Sequence, residues 1–370
     1  MTQRKTTRVE ASSRSRPKPV PTVTPPATAF VPPYRASWSD KIIDQIERLP
    51  WPPWVTGGLV IALTVAAVHL DAWMIRRSLP RGVFSANDVG SAVLGGYALA
   101  GSIYARRWAE QALNEFRPVV SKEMGSFESL KYRMTRVPMA LGSLVIAGNI
   151  LLFLLIALSA PAMGLIPDTL LLVWIGATLW AYVIAGHWLA LVLRQLLQVA
   201  RLYRMIPEFH LIRRDPLYAL SRLTQRSGAA LAILVTVGWL ANASTLSEPL
   251  TAGSALTLVG IQAGMVMFIS VSPLWGAHVR LVDEKRRQQA ESDQRTITAL
   301  DRLHDGLERD DGPTIERQHK ALLAIQFEQQ ALAKVPTWPW TPGIVRSAVG
   351  AIFLPILVWL LQYVLQEVIG

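Results

Sequence analysis

The chain has 370 residues, of which 51% are hydrophobic and 17% are charged, and its formal net charge is +11. A soluble domain has about a quarter charged residues, so this composition favours several helices buried in a bilayer. The sequence contains no cysteine, which excludes disulfide bonds, iron–sulfur clusters and thiol catalysis.

The positions of the basic residues indicate a membrane partner. Residues 1–50 contain nine basic and four acidic side chains, and residues 194–226 contain seven and two, whereas the polar segment 276–345 contains ten and eleven. The positive excess therefore lies beside apolar runs, where the positive-inside bias and anionic lipids favour it. We expect a bilayer with anionic lipids as the partner, and no nucleic acid.

The N-terminal part is predicted to contain little regular structure. Residues 1–35 are rich in arginine, serine, threonine and proline, which favours a disordered basic tail. Residues 39–49 follow, with Ile42, Ile43 and Ile46 at helical spacing. This spacing predicts a short helix that lies on the membrane surface.

Seven apolar runs predict membrane-spanning helices, because about 20 apolar residues at about 1.5 Å each cross a hydrocarbon core of about 30 Å. The runs are 55–73, 83–105, 139–158, 169–193, 229–243, 256–271 and 345–365. The basic segment 194–226 is expected in the cytoplasm. That placement puts the N-terminus inside and Gly370 outside, in a plasma membrane.

The second run, 83–105, is the weakest of the seven. It contains several glycines, including Gly96, and its small-residue face favours burial among other helices. Ser85 and Asp88 have the spacing of an N-terminal capping pair. If this run does not cross the bilayer, the basic tail must lie outside.

A helical hairpin is predicted between the sixth and seventh runs. The sequence Asp310-Asp311-Gly312-Pro313 breaks a polar stretch over 277–334, which predicts a turn between two antiparallel cytoplasmic helices. Apolar stripes on the two arms are expected to face each other. They comprise Ile297, Leu300, Leu303 and Leu307 on the first arm and Ile315, Leu322, Ile325 and Leu332 on the second. The first arm is the longer one, so it is expected to bend near Ala290.

These elements predict an all-α, polytopic helical membrane protein of about seven transmembrane helices. Its parts are a disordered tail (1–35), a transmembrane bundle with cytoplasmic connecting helices (36–275), a cytoplasmic helical hairpin (276–335), and an interface anchor with the final transmembrane helix (336–370).

Polar and small residues within the apolar runs are the candidate functional positions. An intramembrane polar group costs free energy unless it is paired, so we take four such residues as pore or packing candidates: Gln262, His187, Asn149 and Gln362. The GxxxG spacing of Gly260 and Gly264 predicts close helix packing, as does Gly96. Four tryptophans are expected to anchor the chain at the headgroup level, namely Trp51, Trp54, Trp338 and Trp340.

Several classes of function lack support in the sequence. The middles of the strong spans contain no acidic or basic residue, which argues against an ion-coupled transporter. The sequence shows no phosphate-binding loop or nucleophile elbow, so we predict no enzyme, no catalytic residue and no cofactor. His304 and His319 lie at equal distances from the hairpin turn, but they lack a zinc-motif spacing, and no metal is predicted.

Two functions remain open from the sequence. The first is a homo-oligomeric passive channel gated by its hydrophobic last helix, because apolar spans without coupling charges suit passive conduction. The alternative is a membrane scaffold or sensor that recruits a cytoplasmic partner through the hairpin at 277–334.

Overall fold

The computed structural model of the chain describes residues 30–75, 77–120, 126–159, 172–206, 215–243 and 252–336, together with Trp338 and Leu357. Contacts divide the chain into Met1–Val31 and Pro32–Gly370. Of the first unit only Phe30 and Val31 are described, so the fold below is that of the second unit.

The described residues are all-helical and include no β-strand. They form nine α-helices: α1 (Trp38–Glu47), α2 (Pro53–Leu70), α3 (Ala86–Phe116), α4 (Phe127–Thr135), α5 (Met139–Ser159), α6 (Leu172–Met205), α7 (Asp215–Ala243), α8 (Ala252–Glu308) and α9 (Gly312–Ala333). A π-helical turn, Asp71–Ile75, extends α2, and a short 3-10 turn, Arg117–Val119, follows α3.

Two of the described helical segments are long and apolar enough to cross a membrane: Pro53–Ile75 and Val173–Met205. A shorter apolar segment, Met139–Leu151, begins α5. The seven spans expected from the sequence are therefore not confirmed. Of the expected spans, 345–365 lies outside the described residues except for Leu357.

The two long apolar segments differ in burial. In the most apolar part of the first, 22% of the residues are buried inside the protein, against 56% in the second. Leu59 and Leu63 on α2 and Leu144 and Leu151 on α5 are among the large exposed side chains. Apolar surface on this scale is costly in water, and its presence on apolar helices is what contact with lipid requires.

Helix α3 lies at the centre of the bundle and contacts α2, α6 and α7. A glycine of α3 allows its backbone to lie very near the backbone of α2. A Cβ built on Gly96 would lie 2.6 Å from the Gly57 carbonyl oxygen of α2, and one on Gly57 would lie 2.7 Å from the Gly96 carbonyl oxygen. The predicted close packing at Gly96 is thus present in the structure, because only glycine leaves room for two backbones this near.

The N-terminus of α3 has the predicted cap. The Ser85 side-chain oxygen accepts a hydrogen bond from the Asp88 N–H at 3.3 Å, and Ser85 has the extended backbone of an N-cap residue. The Ser85 N–H in turn donates to Nε2 of His69 at 3.0 Å, which joins the end of α2 to the start of α3.

Replacing Ser85 with alanine should lower the free energy of unfolding by about 1 kcal/mol, the usual effect of removing a serine N-cap. The backbone bond to His69 survives the change, so the effect isolates the cap. Unfolding in a fixed detergent, followed by circular dichroism, measures it. An equal loss in Ser85→Thr, which keeps a capping oxygen, would contradict this assignment.

Helix α1 differs from the expectation of a helix that simply lies on the membrane surface. Ile43 is fully buried in the core beside α3 and α6, and Ser39 and Asp40 are buried with it. The chain before α1 is also held in place. The Tyr34 hydroxyl donates to the Arg136 carbonyl at 3.0 Å, and Met139 N–H donates to the Arg35 carbonyl at 3.0 Å.

Helices α8 and α9 form the predicted antiparallel hairpin. Asp310 has a positive φ of 53°, and the Asp311 side chain caps α9 by accepting from the Thr314 N–H. Hydrogen bonds to Thr314 lower the pKa of the Asp311 carboxyl. The Arg295 guanidinium lies 3.7 Å from Glu328 on the opposite arm, as the antiparallel register requires.

The facing surface of α9 agrees with the prediction, because Ile315, Leu322 and Ile325 are half-buried and Leu332 is buried. The surface of α8 differs from it, although Leu303 is half-buried. Ile297, Leu300 and Leu307 are exposed rather than packed on α9. The contact line of α8 instead consists of small residues seven apart, Ser292, Ala299 and Gly306, all of which are buried. These small side chains allow α9 to approach closely, and a Cβ on Gly306 would lie 3.3 Å from the Thr314 methyl carbon.

Helix α8 is not interrupted near Ala290, because it is one helix of 57 residues that continues through Pro273. The register of the hairpin explains how the longer arm, α8, and the shorter arm, α9, fit together. Lys285 Nζ donates to the Ala333 and Val335 carbonyls at 3.1 and 2.9 Å, so α9 ends beside Lys285. The Trp338 ring then stacks on His278, with ring centroids 3.8 Å apart. His278 precedes Lys285 by seven residues, which is about 10 Å along α8. The three residues that follow Val335 can cover this distance if they are extended.

Candidate functional site

The most unusual chemistry in the described residues is a buried cluster of charged and polar side chains around α1. Asp40, Asp44 and Glu47 follow one another at spacings of four and three, so they share a face of this helix. That face is directed towards α3 and the link between α4 and α5, and the residues there are basic. The cluster therefore joins three parts of the chain.

Asp40 and Arg106 form its centre. One Arg106 nitrogen donates to the Asp40 carboxylate at 2.5 Å. The Arg106 side chain is 3% exposed and the Asp40 side chain 0%. A second Arg106 nitrogen donates to Asp44 at 2.7 Å, and Glu47 lies 3.6 Å away. A single buried guanidinium from α3 is thus neutralised by the acidic face of α1.

The link between α4 and α5 supplies further donors. The Val137 N–H donates to the second oxygen of Asp40 at 2.9 Å, and Arg136 forms an ion pair with Asp44. Burial raises the pKa of the Asp40 carboxyl, while the Arg106 charge and the Val137 N–H act in the opposite direction. A buried carboxylate requires this number of partners, because an unpaired charge in the interior is strongly destabilising.

His187 of α6 completes the cluster. Its side chain is fully buried, and Nδ1 lies 2.7 Å from the Ser39 hydroxyl oxygen. That hydroxyl lies 2.8 Å from the hydroxyl of Ser37. Nε2 lies 3.7 Å from Asp40 Oδ1 and forms no hydrogen bond within the described part of the chain. His187 is therefore enclosed by α1 and belongs to a packing network.

Ser39, His187 and Asp40 are the residue types of a catalytic triad, but this arrangement does not suit catalysis. A nucleophile must reach a substrate, and Ser39 has no exposed surface. The Asp40 carboxylate accepts hydrogen bonds from Arg106 and from the Val137 N–H rather than from the histidine. The chemistry available to the cluster is structural: it attaches α1 to the helical bundle by charge-assisted hydrogen bonds.

Neighbouring polar contacts extend this attachment. Gln195 on α6 is buried, and its side-chain nitrogen donates to the Ala105 and Met134 carbonyls, both at 3.0 Å. Arg194 donates to the Arg133 carbonyl at 2.9 Å and lies over the Tyr34 ring at 4.7 Å. Helix α6 is thereby bonded to α3 and to the end of α4.

Sequence reasoning missed this cluster. The isoleucine spacing predicts the apolar stripe of α1, but it gives no role to the acidic face beside that stripe. The available signal was the spacing of Asp40, Asp44 and Glu47 on one helical face together with the paired Arg106 and Arg107 at the end of an apolar run. That signal does not show that the acidic residues of α1 pair with Arg106, because the contacting residues are more than 60 positions apart in the chain.

The other pore or packing candidates are distributed differently. Asn149 on α5 is half-buried, donates to the Val145 carbonyl of its own helix at 2.8 Å, and lies against Gly186 of α6. Asn149 therefore contacts α6 at Gly186, the residue that precedes His187 in the sequence. The side chain of Gln262 and the whole of Gln362 lie outside the described residues.

The GxxxG pair on α8 makes no close helix contact within the described part of the chain. A Cβ on Gly260 or Gly264 would meet no atom within 4 Å. The tight packing expected at these two glycines is therefore not seen there, in contrast to Gly96. It stays a prediction for a contact with another helix.

The tryptophan candidates lie at helix ends. Trp51 and Trp54 are exposed at the start of α2, and Trp338 stacks on His278 beside Trp275. Trp340 lies outside the described residues. Exposed indoles at the ends of an apolar helix fit the headgroup region, and their depth in a bilayer stays a prediction.

Within the described ranges, no group of three histidine, cysteine, aspartate or glutamate side chains is placed to hold a metal ion, and these ranges include His304 and His319.

Comparisons with known proteins give no match: no protein-family model, no curated protein and no solved structure is similar to this chain.

Proposed function

We propose that the chain is a membrane scaffold that binds a protein partner through the hairpin of α8 and α9. The observation that carries the proposal is the exposure of Leu323 and Phe327 on α9, which are 53% and 77% exposed. We call these two residues the α9 pair. Large apolar side chains exposed together on one face of a largely polar helix are typical of a protein-binding surface.

The spacing of the α9 pair suggests the chemistry of the partner. The two side chains are four residues apart and therefore lie one above the other on the same face of α9. Around them the helix carries polar groups, including Lys320, Gln326 and Gln330. An amphipathic helix, which presents apolar anchors at intervals of three and four, fits such a surface. We propose a partner helix of this kind.

We further propose the topology expected from the sequence: seven spans in a plasma membrane containing anionic lipids, with the N-terminus and the hairpin in the cytoplasm. The support for it is the pair of long apolar segments and the position of the basic segments. A reporter fused after Gly370 should be active only outside the cell. Activity in the cytoplasm would contradict the seven-span topology.

The double variant Leu323→Ser/Phe327→Ser should lose at least about tenfold in partner binding, because two buried anchors of this size contribute several kcal/mol to an interface. Binding is measured with the full chain in lipid nanodiscs as bait, by quantifying the proteins retained by each variant. The matched control is Gln326→Ser/Gln330→Ser, on the same helix. If both variants retain the same proteins at the same levels, the α9 pair is not the binding surface.

The second candidate is a homo-oligomeric channel gated by its hydrophobic last helix. The observation that favours it is the broad apolar outer surface of α5, where Leu144, Leu151, Leu154 and Leu155 are exposed and available to a neighbouring subunit. In this proposal His187 has the packing role rather than the pore role, and the support for it is that α1 encloses the side chain. Ion flux into liposomes containing the purified chain tests this function, and a monomer without flux would exclude it.

A further inference from the structure

The first arm of the hairpin carries an exposed stripe that the fold does not cover. It consists of Ile297, Leu300, His304 and Leu307, which we call the α8 stripe. All four side chains are exposed, and the three apolar ones are 52%, 39% and 56% exposed.

The position of the α8 stripe follows from how α9 packs. Helix α9 covers the small residues Ala299 and Gly306. Leu300 and Leu307 each come one residue later, which rotates them by about 100° around the helix axis. They therefore lie beside the line of contact with α9 and remain open to another molecule.

The spacing of the α8 stripe is that of a coiled-coil seam. Its intervals of three, four and three residues place Ile297 and His304 at a positions and Leu300 and Leu307 at d positions. Isoleucine at a with leucine at d favours two parallel helices. Two heptads are too few for a stable coiled coil by themselves. The pattern indicates which face of α8 pairs with another helix, and that the two helices are parallel.

We infer that the α8 stripe binds the same stripe of a second copy of this chain, with the two α8 helices parallel. This inference rests on the proposed location of the hairpin outside the bilayer. Every copy inserted in a membrane has the same orientation, so two neighbouring α8 helices run in the same direction. A two-fold axis along the membrane normal then brings each residue of the stripe against its counterpart.

Charge supports pairing with an identical partner. A residue on a two-fold axis meets itself, so a charged side chain there would repel its own copy, and the α8 stripe contains no aspartate, glutamate, lysine or arginine. The neighbouring e positions are the acidic Asp301 and Glu308. In a parallel pair they face the g positions Thr296 and Leu303 of the partner, which are uncharged.

The size of the surface indicates how the pair is maintained. Four side chains bury much less than the roughly 800 Å² per partner of a stable soluble interface. Confinement of both copies to one bilayer raises their effective concentration and compensates for the small contact. We therefore expect paired hairpins when the full chain is in a membrane.

Single-cysteine variants test the pairing, because the natural sequence has no cysteine to form other disulfides. A disulfide requires Cα atoms about 4.4–6.8 Å apart, a distance that a d position reaches with its own copy. After mild oxidation in membranes, Leu300→Cys and Leu307→Cys should each give roughly fivefold more covalent dimer than the control Thr298→Cys, which lies on the other side of α8. Equal dimer in all three variants, or none at Leu300 and Leu307, would overturn the inference.

A second measurement separates this contact from the α9 pair. Combining Leu300→Cys with Leu323→Ser/Phe327→Ser should leave the amount of covalent dimer unchanged, and combining it with Leu307→Glu should reduce it by at least about tenfold, because two carboxylates would then meet at the axis. Loss of the dimer in the α9 variant would show that copies meet through α9, and would overturn the α8 stripe as the contact. Loss of partner binding with an intact dimer would affect only the scaffold proposal.

Discussion

Asp40→Ala is expected to lower the free energy of unfolding by about 3 kcal/mol, the usual result of removing one member of a buried ion pair. Arg106 is 3% exposed and would keep its charge without its closest partner. The remaining bond to Asp44, at 2.7 Å, limits the loss. The Val137 N–H would lose its acceptor as well, which adds the cost of an unsatisfied buried donor.

The measurement is denaturant unfolding in a fixed detergent micelle, followed by tryptophan fluorescence. Glu47→Gln is the control, because Glu47 is 30% exposed and 3.6 Å from Arg106, and partly exposed pairs contribute less than about 1 kcal/mol. The double variant Asp40→Leu/Arg106→Met should recover more than half of the loss, since it removes both charges together. If Asp40→Ala and Glu47→Gln are equally stable, the cluster does not attach α1.

Gly57→Ala is expected to cost about 1–3 kcal/mol through overpacking at the crossing of α2 and α3. The new Cβ would lie 2.7 Å from the Gly96 carbonyl oxygen and 3.1 Å from the Ala100 Cβ. Neither neighbour is the end of a flexible side chain, so the two helices must move apart. The loss of contact then extends along the whole crossing.

The control for this prediction is the adjacent residue on the same helix. A Cβ on Gly58 would meet no described atom within 4 Å, and alanine is the better helix former. Gly58→Ala should therefore be neutral or slightly stabilising in the same unfolding assay. Gly57→Ala and Gly96→Ala disturb one contact, so their combined effect should be less than additive. A stable Gly57→Ala variant would mean that the helices are not this close.

Local signals predicted the start of α3 and the hairpin turn. Ser85 caps α3 through Asp88, and the break at Asp310-Asp311-Gly312-Pro313 became a left-handed residue followed by a capped helix. Both depend on residues three or four positions apart, where the side chain and the backbone it binds are already neighbours.

Signals that need a partner are harder to interpret. The packing of Gly260 and Gly264 stays a prediction, whereas Gly57 and Gly96 bring two helix backbones together within the described residues. Side-chain size predicts the covered stripe of α9, but on α8 the small Ala299 is buried at the contact while Ile297 and Leu300 are exposed. A spacing identifies a helix face, and the other helix determines whether that face is covered.

Local sequence patterns account for the helices of the described residues, for the position of the hairpin turn, and for the two segments long and apolar enough to cross a membrane. These features follow from interactions between near neighbours and from the free energy of transfer of whole segments. The meeting of Asp40, Arg106 and His187 depends instead on how α1, α3 and α6 pack together. Burying a charge is favourable only when its partners arrive from several distant segments at once, and no local pattern records that arrangement.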